Sequence, residues 1–178
     1  HWKQNIGGTA SSQNSTNYTV ADTETLDGTT AASVTPAVKS YTGFTAPSKQ
    51  TVTIKADGST VVNYYYTRNS YTVTVNKSTG VASVTGAGTY EYGASVTIGY
   101  TISKGYTYSS ISGDYTTKTF TMPAKNTTVK VNATANKYTV TADANGGTIP
   151  TTTGWTKASD SKTATKSVTY ASTYGTMP

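Results

Sequence analysis

Cysteine is absent from the 178 residues, which removes disulfides, thiolate catalysis and zinc–thiolate sites and leaves the redox compartment open. Histidine occurs once, at the first position, so a His-dependent general base or a His-rich metal cluster has no material to be built from. Leu and Glu are nearly missing; without these helix formers a helical bundle or coiled coil is excluded. No apolar run approaches the roughly 20 residues needed to cross a bilayer. Charge is sparse too, at 12% of residues, with fourteen Lys and Arg against eight Asp and Glu for a net +6. The cations are scattered, Arg68 is the one Arg, and no basic cluster or recognition motif for nucleic acid stands out.

What the chain has instead is Thr and Ser, roughly a third of all residues against much lower ordinary usage, and fifteen Tyr, more than Phe and Trp together. Thr and Tyr suit half-buried pleated surface, so the expected fold is mostly β with little helix. Val129, Val131, Ala133 and Ala135 alternate with polar neighbours, as do Tyr71, Val73 and Val75, Val52 and Ile54, and Phe120 and Met122. This period of two marks strands with one dry face. Asp57-Gly58 predicts a tight hairpin joining the strand at Val52 to one at Val61, and Pro123 to Asn126 occupies a similar place later. Thr30 to Ala37 is the one stretch with room for a turn or two of helix.

The chain also repeats itself. Asn69-Ser70-Tyr71-Thr72-Val73-Thr74 returns as Asn136-Lys137-Tyr138-Thr139-Val140-Thr141, 67 residues on. Ala56 to Val61 matches Ala124 to Val129, and Lys39-Ser40-Tyr41-Thr42 is echoed by Lys104-Gly105-Tyr106-Thr107. Matches in one order at similar shifts divide the chain into residues 1–69, 70–136 and 137–178, the last too short for a whole unit. A unit of this size without disulfides is modestly stable alone, so neighbours are expected to support one another. Tyr64 to Tyr71 run across the first boundary as strand-forming residues with no Pro/Gly/Ser linker, which predicts a stiff, elongated rod. The opening His1-Trp2-Lys3, without Met or an apolar leader, reads as a processed product or a piece of something longer.

Particular words in these repeats resemble known modules. Val34 to Ala37, Lys39 to Phe44, Ala56 to Tyr66 and Arg68-Asn69 make residues 1–69 similar to a mucin-binding-protein-type repeat. Val84 to Gly93 followed by Gly105 to Tyr108 makes residues 70–136 resemble a divergent internalin B-repeat. Residues 137–178, with Tyr138 to Gly147 and Tyr174 to Pro178, resemble the opening half of a Listeria–Bacteroides-type B-repeat, stopping before its Gly-Tyr-x-Phe and Gly-Trp segment. The resemblance implies tandem β-grasp-like modules in wall-attached or secreted surface proteins of Gram-positive bacteria, acting as stalks or adhesive segments. Its implied partners are neighbouring repeats of the same chain; host glycans or mucins and anionic wall polymers also suit the positive charge. Self-association into fibres is a further expectation, because an unfinished module leaves an open sheet edge. Neither nucleic acid nor membrane is an expected partner.

For chemistry the sequence offers little, and neither an enzyme nor a cofactor is expected. Asp22, Glu24 and Asp27 are the closest carboxylates; acids at alternate strand positions share a face suited to acid/base work or Ca²⁺, set against a plain solvated face before a turn at Asp27-Gly28. The many Ser and Thr have no activating base. Tyr64, Tyr65 and Tyr66 form a candidate stacking platform for sugars or bases, set against core or junction packing, with Tyr64 and Tyr66 expected on one face and Tyr65 on the other, so that at least one face packs inward. Trp155 is the other candidate ligand contact, expected on an exposed loop. A Lys–Asn isopeptide cross-link is also considered, with no pair singled out.

Overall fold

The computed structural model describes residues 1–150 and 153–178. It is all β, with no helix among the described residues. In chain order the strands are β1 Trp2–Gln4, β2 Tyr18–Val20, β3 Ser33–Val34, β4 Phe44–Thr45, β5 Val52–Thr53, β6 Tyr65–Arg68, β7 Ser70–Lys77, β8 Val81–Thr85 and β9 Gly88–Glu91. They continue as β10 Ser95–Thr97, β11 Gly99–Ile102, β12 Tyr106–Gly113, β13 Thr119–Thr121, β14 Thr127–Ala135, β15 Lys137–Asp143, β16 Thr156–Lys157 and β17 Thr163–Thr169. The chain forms two compact units, one of residues 1–74, 86–97 and 117–128, the other of residues 75–85, 98–116 and 129–178.

In the first unit a sheet runs in the order β2-β1-β6-β4, with β1 parallel to β6 and antiparallel to β2. Beside it are the pairs β3–β5, β10–β13 and the start of β7 with β9, all antiparallel. Tyr18, Tyr64, Tyr66, Val73, Val96, Phe120 and Met122 are its buried side chains. The second unit holds the antiparallel pairs β8–β11 and β12–β14 and a three-stranded sheet ordered β15-β17-β16. Val81, Ile98, Ile111, Val129 and Val131 are buried here, and a separate small core gathers Ala142, Ile149, Trp155 and Ala164. Removing such a side chain from water contributes roughly 1.5–3 kcal/mol.

The alternation read from Val129, Val131, Phe120 and Met122 puts the right faces inward. Elsewhere the local signals mislead. The Asp57 turn forms, its carboxylate accepting from the Ser59 amide at 3.0 Å, but residues 59–64 form no strand and Val61 is 74% exposed. The partner of β5 is β3, on the other side in sequence. The helix-prone stretch at Thr30 instead turns at Ala31, whose φ of 66° ends any helical path, and enters β3.

The excess of Tyr over Phe has a structural reason in a chain without disulfides. Tyr18, Tyr64 and Tyr90 each bury or half-bury a ring and donate the hydroxyl to a loop carbonyl, of Ala10 at 2.9 Å, Pro36 at 2.8 Å and Gly86 at 3.0 Å respectively. A tyrosine so placed packs at one end and pins a loop at the other. Thr serves the outer surface, where Thr35 meets Thr51 at 2.7 Å and Thr97 meets Thr119 at 3.4 Å, as hydroxyl pairs between segments.

Candidate functional site

The aromatic and charged residues singled out above meet mostly in the first unit. Residues 64 and 66 sit on one side of the chain entering β6, and both rings are buried, at 2% and 0% exposure. The Tyr66 hydroxyl accepts the Lys39 amide at 2.8 Å and lies 3.0 Å from His1 Nδ1. That of Tyr64 accepts the Gln50 amide at 3.2 Å. Tyr65 points the other way, stacked on Trp2 at 5.9 Å and edge-on to Tyr18 at 5.0 Å. The two-and-one division expected of the run holds, and Tyr64 and Tyr66 are core rather than an open platform, because His1 packs on both rings and Tyr41 on that of Tyr66.

Asp22 and Glu24 lie in irregular chain after β2 rather than on a strand face, and both reach Lys39, whose Nζ hydrogen-bonds Asp22 Oδ2 and lies 2.5 Å from Glu24 Oε1. Glu24 is also 3.6 Å from His1 Nε2, and that imidazole packs among Tyr41, Tyr64 and Tyr66. Although it is the first residue, His1 has a side chain only 7% exposed. Lys3 Nζ stands 3.6 Å above the Tyr41 ring, a cation–π contact. Burial first, and then the Asp22 carboxylate, push the Tyr41 phenol up from its usual range.

This geometry corrects the cation reading of Asp22, Glu24 and Asp27. Asp22 and Glu24 are already neutralised by an ammonium, and no group of three or more His, Cys, Asp or Glu among the described residues is placed to hold a metal. The contact also keeps both partners charged. The hydrogen bond from Lys39 holds the Asp22 carboxyl below its ordinary range, while the Asp22 and Glu24 hydrogen bonds hold the Lys39 ammonium well above the lysine range. The arrangement ties the chain after β2 to Lys39 by charge.

The sign of the pH dependence follows. A depressed carboxyl contributes its stability above its unfolded value of about 3.9 and loses it as the pH falls through the folded value. The raised Lys39 contributes below its unfolded value of about 10.4, and so throughout the acid range. The urea midpoint of the native chain is therefore expected to fall more between pH 6 and pH 2, roughly the span of a carboxyl titration, than that of Asp22→Asn. Equal falls in the two proteins would show that Lys39 does not hold Asp22.

Next to this cluster lies an open cleft of about 910 Å³, with Val34, Val52 and Ile54 in its apolar lining and Asp22, Glu24 and Tyr64 shared with the cluster. A second polar group escaped the sequence reading. Gln4, 4% exposed, accepts the Arg68 amide at 2.8 Å and donates to the Gly8 carbonyl at 2.6 Å. The Arg68 side chain, 4% exposed, places Nε 4.0 Å from Glu91. The one signal for it was that the chain has a single Arg.

Trp155, in the second unit, is the clearest correction. It is 9% exposed and belongs to the core with Ala142, Ile149 and Ala164, its Nε1 donating to the Thr176 carbonyl at 3.1 Å. A short segment otherwise poor in large apolar side chains buries the one it has.

The described residues form several small β-sheets, and most of the candidate site residues serve their packing. Residues 71–137 match the family model of the divergent InlB B-repeat domain, a repeat domain of bacterial surface proteins and the module type that residues 70–136 resemble in sequence. No curated protein and no solved structure matches the chain.

Proposed function

We propose that the chain is a spacer or adhesive stalk segment of a large cell-surface or secreted bacterial protein, in which small grasp-like modules follow one another as an elongated rod. The observation that supports this best is the B-repeat match over residues 71–137, flanked on both sides by segments that share its words. Its contribution is reach and stiffness, its first partners the neighbouring repeats, with no reaction of its own. Small-angle scattering tests the shape. A compact globule of this length has a radius of gyration of about 16 Å, and a rod exceeds it clearly, at more than about 20 Å. A value near the compact figure overturns the spacer.

Glycan or mucin binding through Tyr64, Tyr65, Tyr66 and Trp155 is the competing role, weakened by the burial of three of those rings. A glycan array with no hits beside an elongated profile decides for the spacer. Fibre formation by strand exchange has one observation in its favour: β15, seven residues long, ends the order β15-β17-β16 and so presents an edge. Light scattering that reports a monomer at every concentration removes it.

A further inference from the structure

The two places where one repeat gives way to the next close in the same manner. Asn69 separates β6 from β7, and Asn136 separates β14 from β15. The Asn69 amide donates to the Gly43 carbonyl at 2.9 Å, and the Asn69 carbonyl accepts the Tyr92 amide at 2.8 Å. The Asn136 amide donates to the Gly105 carbonyl at 2.8 Å, and the Asn136 carbonyl accepts the Tyr170 amide at 2.7 Å. Each Asn Oδ1 accepts a threonine hydroxyl, from Thr45 at 2.5 Å and from Thr107 at 2.6 Å. Each Nδ2 faces the hydroxyl of a tyrosine two residues on, Tyr71 and Tyr138, at 3.5 Å. The rings agree as well: Phe44 meets Tyr92 edge-on at 5.8 Å and 77°, and Tyr106 meets Tyr170 at 5.5 Å and 76°.

These contacts do not follow from sequence spacing. The Asn comes 26 residues after the glycine in the first case (43 to 69) and 31 in the second (105 to 136). The tyrosine follows the Asn by 23 residues (69 to 92) and then by 34 (136 to 170). Loops of different length deliver the same five groups to the same places, each set lying wholly within one compact unit. Arrangement has been kept while spacing has not, which is what a selected joint looks like and an accident of Thr-rich composition does not.

We infer that Asn69 and Asn136 are one connecting device used twice, a latch by which the Asn-x-Tyr opening of a repeat grips a Gly–aromatic–Thr segment of the repeat before it and a tyrosine just past a later strand of its own. The partner it recognises is another repeat carrying that segment, whatever the rest of that repeat looks like. The latch fixes two backbone hydrogen bonds and one hydroxyl bond at the crossing residue, so the chain passes from strand to strand without a swivel. Its purpose rests on the spacer reading; its existence does not.

Amide hydrogen exchange on the full chain tests it. In Asn69→Ala, protection at residues 69 and 92 is expected to fall by about tenfold, the equivalent of one net hydrogen bond, while residues 136 and 170 keep theirs. Asn136→Ala gives the mirror image. Thr45→Val and Thr107→Val, at surface positions and of equal size, remove only the hydroxyl and each loosen their own latch. They serve if the Asn variants fail to fold. Unchanged protection in Thr45→Val and Thr107→Val, or a loss in one variant that appears at both junctions, overturns the latch. The two readings fail separately: a compact scattering profile with local loss of protection sinks the spacer alone, and an extended profile with unaffected protection sinks the latch alone.

Discussion

Tyr66→Ala lowers stability by about 3–5 kcal/mol, the cost of emptying a large buried aromatic site. The ring is 0% exposed, is met edge-on by Tyr41 at 4.8 Å and 84°, and sits between the imidazole of His1 and the Lys39 backbone. A loss of that size is a large share of the total stability of roughly 5–15 kcal/mol that folded domains have. Tyr66→Phe separates packing from polarity. It keeps the ring and strands the Lys39 amide, at a cost of about 1–3 kcal/mol. Urea denaturation of both variants checks the pair, and a phenylalanine as damaging as alanine would contradict the packing account.

The same side chain adds an alkaline prediction to that measurement. Burial raises the Tyr66 hydroxyl above its usual range, opposed by the hydrogen bond from the Lys39 amide. A raised value means the stability is present below the unfolded value of about 10 and is lost as the pH rises through the folded one. In Tyr66→Phe that part of the alkaline loss disappears. Tyr18 and Tyr41, also raised mainly by burial, keep theirs.

How much of this was legible in the residues depends on the range over which each signal acts. Period-two alternation is local, and it placed Val129, Val131, Phe120 and Met122 inward without error. It says which face is dry but not what covers it. Trp155 therefore looked like a loop residue, since its cover, Ala142, Ile149 and Ala164, comes from segments on both sides of it in the sequence. The carboxylates at 22 and 24 lie past the end of β2 and on no strand, and what brings them together is Lys39, which lies beyond the next strand. Repeats mislead in a related way. The match of Ala56–Val61 to Ala124–Val129 joins an exposed, unpaired Val61 to a fully buried Val129. The echo pairing Tyr41 with Tyr106 is out of step, for the structure sets Gly43-Phe44-Thr45 against Gly105-Tyr106-Thr107. The Asn69 and Asn136 words were visible from the start; that they form a joint depends on glycines and tyrosines brought in by loops of unequal length.

Those glycines carry the other large effect. Gly43 and Gly105 have φ of 81° and 82°, and a Cβ at either would overlap a tyrosine ring, Tyr92 in one case and Tyr170 in the other. An L-residue in the left-handed region costs about 1–2 kcal/mol, and forcing atoms into a filled space about 1–3 kcal/mol more. Gly43→Ala and Gly105→Ala are each expected to lose about 2–5 kcal/mol by these two terms together. Gly58 supplies the control, because its φ is 72° but nothing lies within 4 Å of the site of its missing Cβ. Gly58→Ala therefore pays only for the backbone, about 1–2 kcal/mol. A double-mutant cycle isolates the ring: Tyr170→Ala removes the obstacle, so Gly105→Ala costs less in that background than in the native one, by an amount near the overpacking share of about 1–3 kcal/mol. Additive losses, or a Gly58→Ala as harmful as the other two, would mean that the close approach of ring to backbone is not what makes these two turns require glycine.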